Sequence, residues 1–166
     1  MKIKLLVVDD EKKFSDILSQ RLQVQGFEVT SVFSGEEAVQ LIQNQDFDVV
    51  ILDVFMPGKS GIDTLKEIKR IKPFIQIIML TGHAKIDTAI EGMEIGAYDY
   101  LVKPTKIEEL VEKIRLANTQ KKIVMEEREL QIKTMGTAER QGWDKWVSSI
   151  SALIRRRSRK KTDSES

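Results

Sequence analysis

Apolar residues in this chain fall into two kinds of pattern, and the two alternate. Short apolar runs, rich in β-branched residues, occupy residues 3–8, 27–32, 49–52, 75–80 and 98–102. Each is followed by a stretch whose apolar residues recur at helical spacing. Phe14, Ile17, Leu18 and Leu22 make one such stripe; Ala38, Leu41 and Ile42 make a second. Ile62, Leu65 and Ile68 make a third, closed before Pro73. Ile86, Ala89, Ile90 and Met93 make a fourth, read as interrupted by Gly92 and stopped by Gly96. Ile107, Leu110, Val111 and Ile114 open a fifth. Short continuous runs bounded by turn residues read as buried strands, and the i, i+3, i+4 stripes as amphipathic helices. Ser34 is the expected N-cap of the second helix, with Glu36 and Glu37 in its first turn. The run at 27–32 alternates only partly, as an edge strand does.

Five strands alternating with five helices in about 117 residues predict an α/β protein: a doubly wound, five-stranded parallel sheet. Right-handed crossovers and the flavodoxin-like strand order 2-1-3-4-5 are expected, with a helical C-terminal extension.

Composition changes this picture little. The chain has 166 residues, 41% hydrophobic and 32% charged, room for one ordinary domain and an appendage. Apolar runs of about six residues are far below the ~20 that span a bilayer. No secretory leader is read at the N-terminus. The absence of cysteine excludes disulfides, thiolate metal sites and thiol nucleophiles.

Charge changes it more. Residues 1–117 hold 15 Lys/Arg and 19 Asp/Glu, a net of −4; residues 118–166 hold 12 and 7, a net of +5. This sign change places an expected boundary near 118. The division expected is a domain at 1–117, a helical extension or linker at 118–135, an amphipathic helix at 136–157 and a basic, disordered tail at 158–166.

The chemistry lies where the strands end. Asp9-Asp10-Glu11, Asp53, Thr81 and Lys103 each close a predicted strand. In a parallel sheet all strand carboxyl ends share one edge, so these residues should converge. Clustered carboxylates repel and raise one another's pKa, and a divalent cation relieves this. Mg²⁺ suits an all-oxygen set, while the lack of His and Cys donors at the site argues against zinc. A lysine and a hydroxyl beside such an ion suit a transferring phosphoryl group, and an aspartate can be its nucleophile.

Asp9-Asp10-Glu11, Asp53 followed by Met56-Pro57, then Thr81, then Tyr100-Leu101-Val102-Lys103-Pro104 resemble the motif set of response-regulator receiver domains of bacterial two-component systems. The resemblance covers residues 1 to about 117. It implies that Asp53 is the phosphoacceptor and that Lys103 contacts the phosphoryl oxygens. It implies that Thr81 and Tyr100 move as the switch, Thr81 also assisting the chemistry. Asp9, Asp10, Asp53 and the backbone carbonyl of Phe55 would hold Mg²⁺. The Lys103–Pro104 bond is usually cis in that family. Phe55 and His83 stand where that family tunes dephosphorylation. A bulky apolar Phe55 cannot orient a hydrolytic water, which implies a long-lived phosphoryl group. Alone, Thr81 also reads as a helix N-cap, Tyr100 as a packed strand aromatic, and His83, the only histidine, as an exposed loop residue.

The function expected is therefore a cytoplasmic phosphoacceptor signalling protein with a sensor histidine kinase as donor, and not an enzyme with an independent substrate. Its phosphorylation would switch the face formed by residues 84–117, with Ile95, Asp99 and Lys106 as candidate contacts. A flavodoxin-like cofactor-binding protein and a phosphatase with an aspartate nucleophile are the alternatives. The acidic loop after the first strand would repel the phosphate of a flavin.

Beyond 117, the fifth helix is expected to continue through residue 130. Its thin stripe, Ile114, Ala117, Val124 and Leu130, fits a solvated extension or a short dimeric coiled coil. Trp143, Trp146, Val147, Ile150, Leu153 and Ile154 then mark an amphipathic helix, followed by Arg155-Arg156-Arg157-Ser158-Arg159-Lys160-Lys161. A downstream protein target through the 84–117 face or the 139–157 helix is the first expectation for a partner, with a homodimer as an alternative. Sequence-specific DNA binding is not expected, and membrane contact by the basic tail is not favoured.

Overall fold

The computed structural model describes residues 1–83 and 85–163, with side chains as far as Ser151, Ala152 and Leu153 in the last helix. Its elements are β1 (Lys4–Val8), α1 (Lys12–Val24), β2 (Glu28–Val32), α2 (Gly35–Asn44), β3 (Val49–Leu52) and α3 (Gly61–Ile71). They continue with β4 (Gln76–Thr81), α4 (Ile86–Ile95), β5 (Asp99–Val102), α5 (Ile107–Thr134) and α6 (Thr137–Asp163). All strand pairs are parallel and the order is β2-β1-β3-β4-β5, as the alternation of patterns predicts.

Successive residues on a strand point to opposite faces, so each central strand feeds two cores. On one face Leu6, Val8, Val50, Leu52, Ile77 and Met79 pack with Ala38 and Ile42 of α2 and Leu65 and Ile68 of α3. On the other, Leu5, Val7, Val49, Ile51, Ile78 and Leu80 pack with Leu18 and Leu22 of α1 and Leu110, Ile114 and Ala117 of α5. Every residue of β3 and β4 is buried, whereas the flanking strands β2 and β5 are only partly so. That gradient explains why the central runs read as continuously apolar and the edge run does not.

Helix ends follow local chemistry. The Ser34 side chain accepts a bond from the Glu37 amide, the expected cap of α2, and Ser60 caps α3 in the same way through Asp63. Helix α4 corrects one expectation: it runs unbroken through Gly92. The glycine is there for packing, since a Cβ at that position would lie 2.7 Å from the Met79 sulfur. Gly96, at φ +119°, then ends α4 in the left-handed region.

The chain divides into two compact units, Met1–Ile123 and Val124–Ser166. Within the first, Asn118 is buried, and the Lys121 ammonium donates to the Phe47 carbonyl at 3.0 Å and to Asp48 at 3.1 Å. The charge change at 118 and the packing change at 123–124 thus fall at different points of one helix. In the second unit, the Arg140 guanidinium donates to the Ile132 carbonyl at 2.9 Å across the break between α5 and α6. The backbone of α6 is helical to Asp163; residues 164–166 of the expected disordered tail, and the side chains of Ile154 and the basic run, lie outside the described residues. No helix among the described residues is long and apolar enough to cross a membrane.

Candidate functional site

Register builds the site. Val8 pairs with Leu52, so the next residues on these neighbouring strands, Asp9 and Asp53, leave the sheet side by side. The Asp53 amide donates to the Val8 carbonyl at 2.9 Å and holds that alignment. Thr81 pairs with Val102, and the Lys103 amide donates to the Thr81 carbonyl at 2.7 Å, which delivers the lysine to the same edge. Oxygen atoms of Asp9, Asp10 and Asp53 all lie within 4.8 Å of one another. Asp9 and Asp53 are buried and Asp10 is exposed.

Two carboxylates this close and this dry hold their protons tightly. Burial, and then the charge of Asp9, push the Asp53 pKa up to about 6; Lys103 opposes this only in part. Asp9 is also raised, by burial, although the Lys103 ammonium donates to its Oδ2 at 2.7 Å and the Glu11 amide to its Oδ1 at 2.9 Å. Desolvation outweighs both bonds. The donor set is all oxygen, repulsive without a counter-charge and open on the Asp10 side, which fits a hard divalent cation.

Lys103 is held from three sides. Besides Asp9, it lies 3.7 Å from the Glu11 carboxylate, and its ammonium stands 4.0 Å above the centre of the Phe14 ring. The sequence pattern placed Phe14 only on the apolar stripe of α1. Its cation–π contact was hidden because the partner lies far along the chain. The Lys103–Pro104 bond is cis.

Thr81 is fully buried, and its hydroxyl accepts from the His83 amide at 3.2 Å. It does not cap α4, whose N-cap, Lys85, makes no side-chain bond there. The Tyr100 hydroxyl donates to the His83 carbonyl at 3.2 Å. The segment after β4 thus ties the two expected switch residues to one loop residue.

His83 is more than a loop residue. Its ring meets Phe55 edge to face, centroids 5.2 Å apart, and the Lys85 ammonium lies 5.2 Å from the Phe55 ring centre. Phe55, at 38% exposure, is therefore the middle of a three-residue rim beside Asp53. The part played by Lys85 was not read from the sequence, because a lysine before a helix resembles any solvated charge.

The loop carrying Asp53 is shaped by Gly61. The Gly61 amide donates to the Val54 carbonyl at 2.8 Å, and a Cβ at Gly61 would lie 2.2 Å from the Asp53 carbonyl oxygen and 2.5 Å from the Val54 Cα. Helix α3 can begin against the acidic strand end only because this residue has no side chain.

With this geometry in place, the comparisons with known proteins are specific. The sequence signature of the response regulator receiver domain matches residues 5–115. The transcriptional regulatory protein ZraR of Salmonella typhimurium is 40% identical over 116 residues, which are 70% of this chain and 26% of that protein. The chain thus spans about a quarter of the length of the curated relatives it matches. A response regulator receiver domain from Clostridium thermocellum is similar at a TM-score of 0.70 and 40% identity, over 74% of this chain and 98% of that one. A response regulator from Burkholderia pseudomallei, solved with a phosphorylated aspartic acid, a calcium ion and citrate, is similar at a TM-score of 0.66 and 28% identity, over 78% of this chain and 75% of that one. The chain belongs to the response regulator receiver domain family.

Proposed function

We propose that this receiver domain takes a phosphoryl group onto Asp53 from a phosphohistidine of a sensor histidine kinase. An Asp53 carboxylate oxygen attacks phosphorus, the P–N bond breaks, and the imidazole leaves. The observation that carries this reading is the buried Asp53 carboxylate, within reach of Asp9 and Asp10 and beside a lysine already held by Asp9. Asp9, Asp10, Asp53 and the Phe55 carbonyl are the residues that would hold Mg²⁺, which when bound neutralises carboxylate and phosphoryl charge. Lys103 would then turn its ammonium from Asp9 toward the phosphoryl oxygens. The exchange would take place in the cytoplasm. No independent substrate is turned over.

The switch follows from differential contact. In the present geometry the Thr81 hydroxyl oxygen accepts from the His83 amide, a bond that does not use its O–H donor, and Tyr100 donates to the His83 carbonyl. A phosphoryl group on Asp53 offers that O–H a charged acceptor, which draws the side chain toward it and biases the loop to a second arrangement that Tyr100 follows. The readout is the 84–117 face, in which Ala84 lies outside the described residues. Ile90 and Met93 of α4 are exposed there, and Asp99 bridges to Lys113 of α5 at 2.7 Å. The functional division is a receiver at 1–117, a linker helix at 118–135, a helix at 136–157 and a basic tail at 158–166.

The test is the intact mass of the protein after incubation with a small phosphodonor such as acetyl phosphate. The expected result is one phosphoryl group per chain, requiring Mg²⁺ and absent in Asp53→Asn. Mass gain without a divalent cation, or retained by the variant, would contradict the reading.

A further inference from the structure

Both tryptophans of the chain are on α6. Trp143 and Trp146 stack at 5.1 Å between ring centroids, tilted by 33°. They open a stripe continued by Val147, Ile150 and Leu153, all on one side of the helix. Part of the stripe is left to solvent: Trp146 is 55% exposed and Leu153 58%, while Trp143, Val147 and Ile150 are half-buried. The rest of the helix surface here is small and nearly uncharged, with Ser148, Ser149, Ser151 and Ala152. The charge comes after the stripe. Residues 142–162 hold seven Lys/Arg against one Asp/Glu, and six of the seven lie between Arg155 and Lys161.

Four kinds of occupant can be compared on these features. A second copy in parallel would set two highly basic runs side by side, and like charges repel. An antiparallel copy would set each run against residues 137–142, where Glu139 and Arg140 cancel. A nucleic acid would neutralise the basic run but leave the aliphatic stripe wet. A groove in a protein partner usually reads charges that flank the stripe, and here the flanks are serine and alanine apart from one adjacent pair of opposite charge, Asp144 and Lys145. An anionic bilayer surface satisfies both parts. Its interfacial zone takes tryptophan and aliphatic side chains, and its headgroups take the arginines and lysines.

We propose that α6 is a membrane-surface helix that lies in the interface of an anionic phospholipid bilayer. The stripe from Trp143 to Leu153 enters the interface, and the run from Arg155 to Lys161 holds the headgroups. This goes beyond phosphoacceptance and does not depend on it.

The two tryptophans are native reporters confined to the stripe. The full chain is titrated with vesicles of phosphatidylglycerol and phosphatidylcholine in equal parts, and separately with vesicles of phosphatidylcholine alone. The expected result is a blue shift of tryptophan emission and co-sedimentation with the anionic vesicles. Partitioning should be roughly a hundredfold or more stronger than into the neutral ones, and should weaken as salt is raised. Ile150→Ser with Leu153→Ser should abolish the shift while both reporters remain. Arg156→Glu with Arg157→Glu should weaken partitioning at least about tenfold. Far-ultraviolet circular dichroism and the unchanged Mg²⁺-dependent phosphoryl uptake of each variant check that the first unit is intact. The proposal is overturned by no shift with anionic vesicles or by equal binding to neutral ones. A shift that follows protein concentration without lipid, or one produced by single-stranded DNA and not by vesicles, overturns it in favour of a second copy or a nucleic acid.

Discussion

Asp53 is 6% exposed and close to a second buried carboxylate, so its ionisation is opposed by the fold. Folded, its pKa is about 6; the ordinary value is 3.8. Between these values the native state binds more protons than the unfolded chain, so stability falls as pH rises through that window and stays low above it. The span corresponds to at most about 3 kcal/mol, with Asp9, also raised, acting in the same direction. In a chelator, Asp53→Asn should therefore be more stable than the wild type at neutral pH, by about 1–3 kcal/mol, and should lose most of the pH slope. Mg²⁺ should stabilise the wild type at neutral pH and not the variant to the same degree. Urea unfolding midpoints measured across pH, with and without Mg²⁺, check this; an Asn variant less stable than wild type at neutral pH would contradict it. On the proposed function, Phe55 would act on the later step, loss of the phosphoryl group. Its ring, braced by His83 and approached by Lys85, has no group to orient a water. Phe55→Asn is expected to shorten the life of the phosphorylated protein roughly ten- to a hundredfold, at or below the low end for positioned proton-transfer groups. Loss of phosphate followed over time reads this directly, and an unchanged or longer lifetime would remove Phe55 from the account. The identities of Asp9, Asp53, Thr81 and Lys103 could be read from the sequence because each ends an apolar run. Phe14 beneath Lys103 and Lys85 beside Phe55 could not, since nothing local distinguishes them from core and surface residues.

Among the elements, β3 and α3 set the geometry together. Gly61 lets the first turn of α3 press on the Asp53–Val54 backbone. Gly61→Ala should force the loop away from the helix, because its Cβ would meet backbone atoms that cannot rotate aside. A destabilisation of about 1–3 kcal/mol is expected, together with slower phosphoryl uptake from acetyl phosphate. Chemical unfolding and a time course of mass gain measure the two effects; wild-type values for both would show that the contact is not constraining. This contact had no signal in the sequence beyond a glycine after a serine. The elements themselves were legible for a physical reason: strands buried on both faces are apolar throughout, and helices on one face carry stripes. Gly92 misled for the same kind of reason. A glycine within a helical pattern reads as a break, and only the neighbouring Met79 shows that it is a packing requirement.

For the whole molecule, the parallel sheet turns residues from distant parts of the chain into one acidic edge with one lysine. Charge divides the chain in a second way, with the acidic site in the first unit and the basic run in the second. The strand order and the convergence of the four strand ends follow from the alternation of patterns. The surroundings of α6 do not, because a stripe and a basic run are defined by what covers them. The central claim is that Asp53 carries the phosphoryl group, and locating the modification tests it most directly. The protein is phosphorylated with acetyl phosphate and Mg²⁺ and reduced with borohydride, which converts an aspartyl phosphate to homoserine. Peptide mass spectrometry then finds the altered residue. The prediction is homoserine at position 53 alone; modification at Asp9 or Asp10, or at none of the three, would contradict the account.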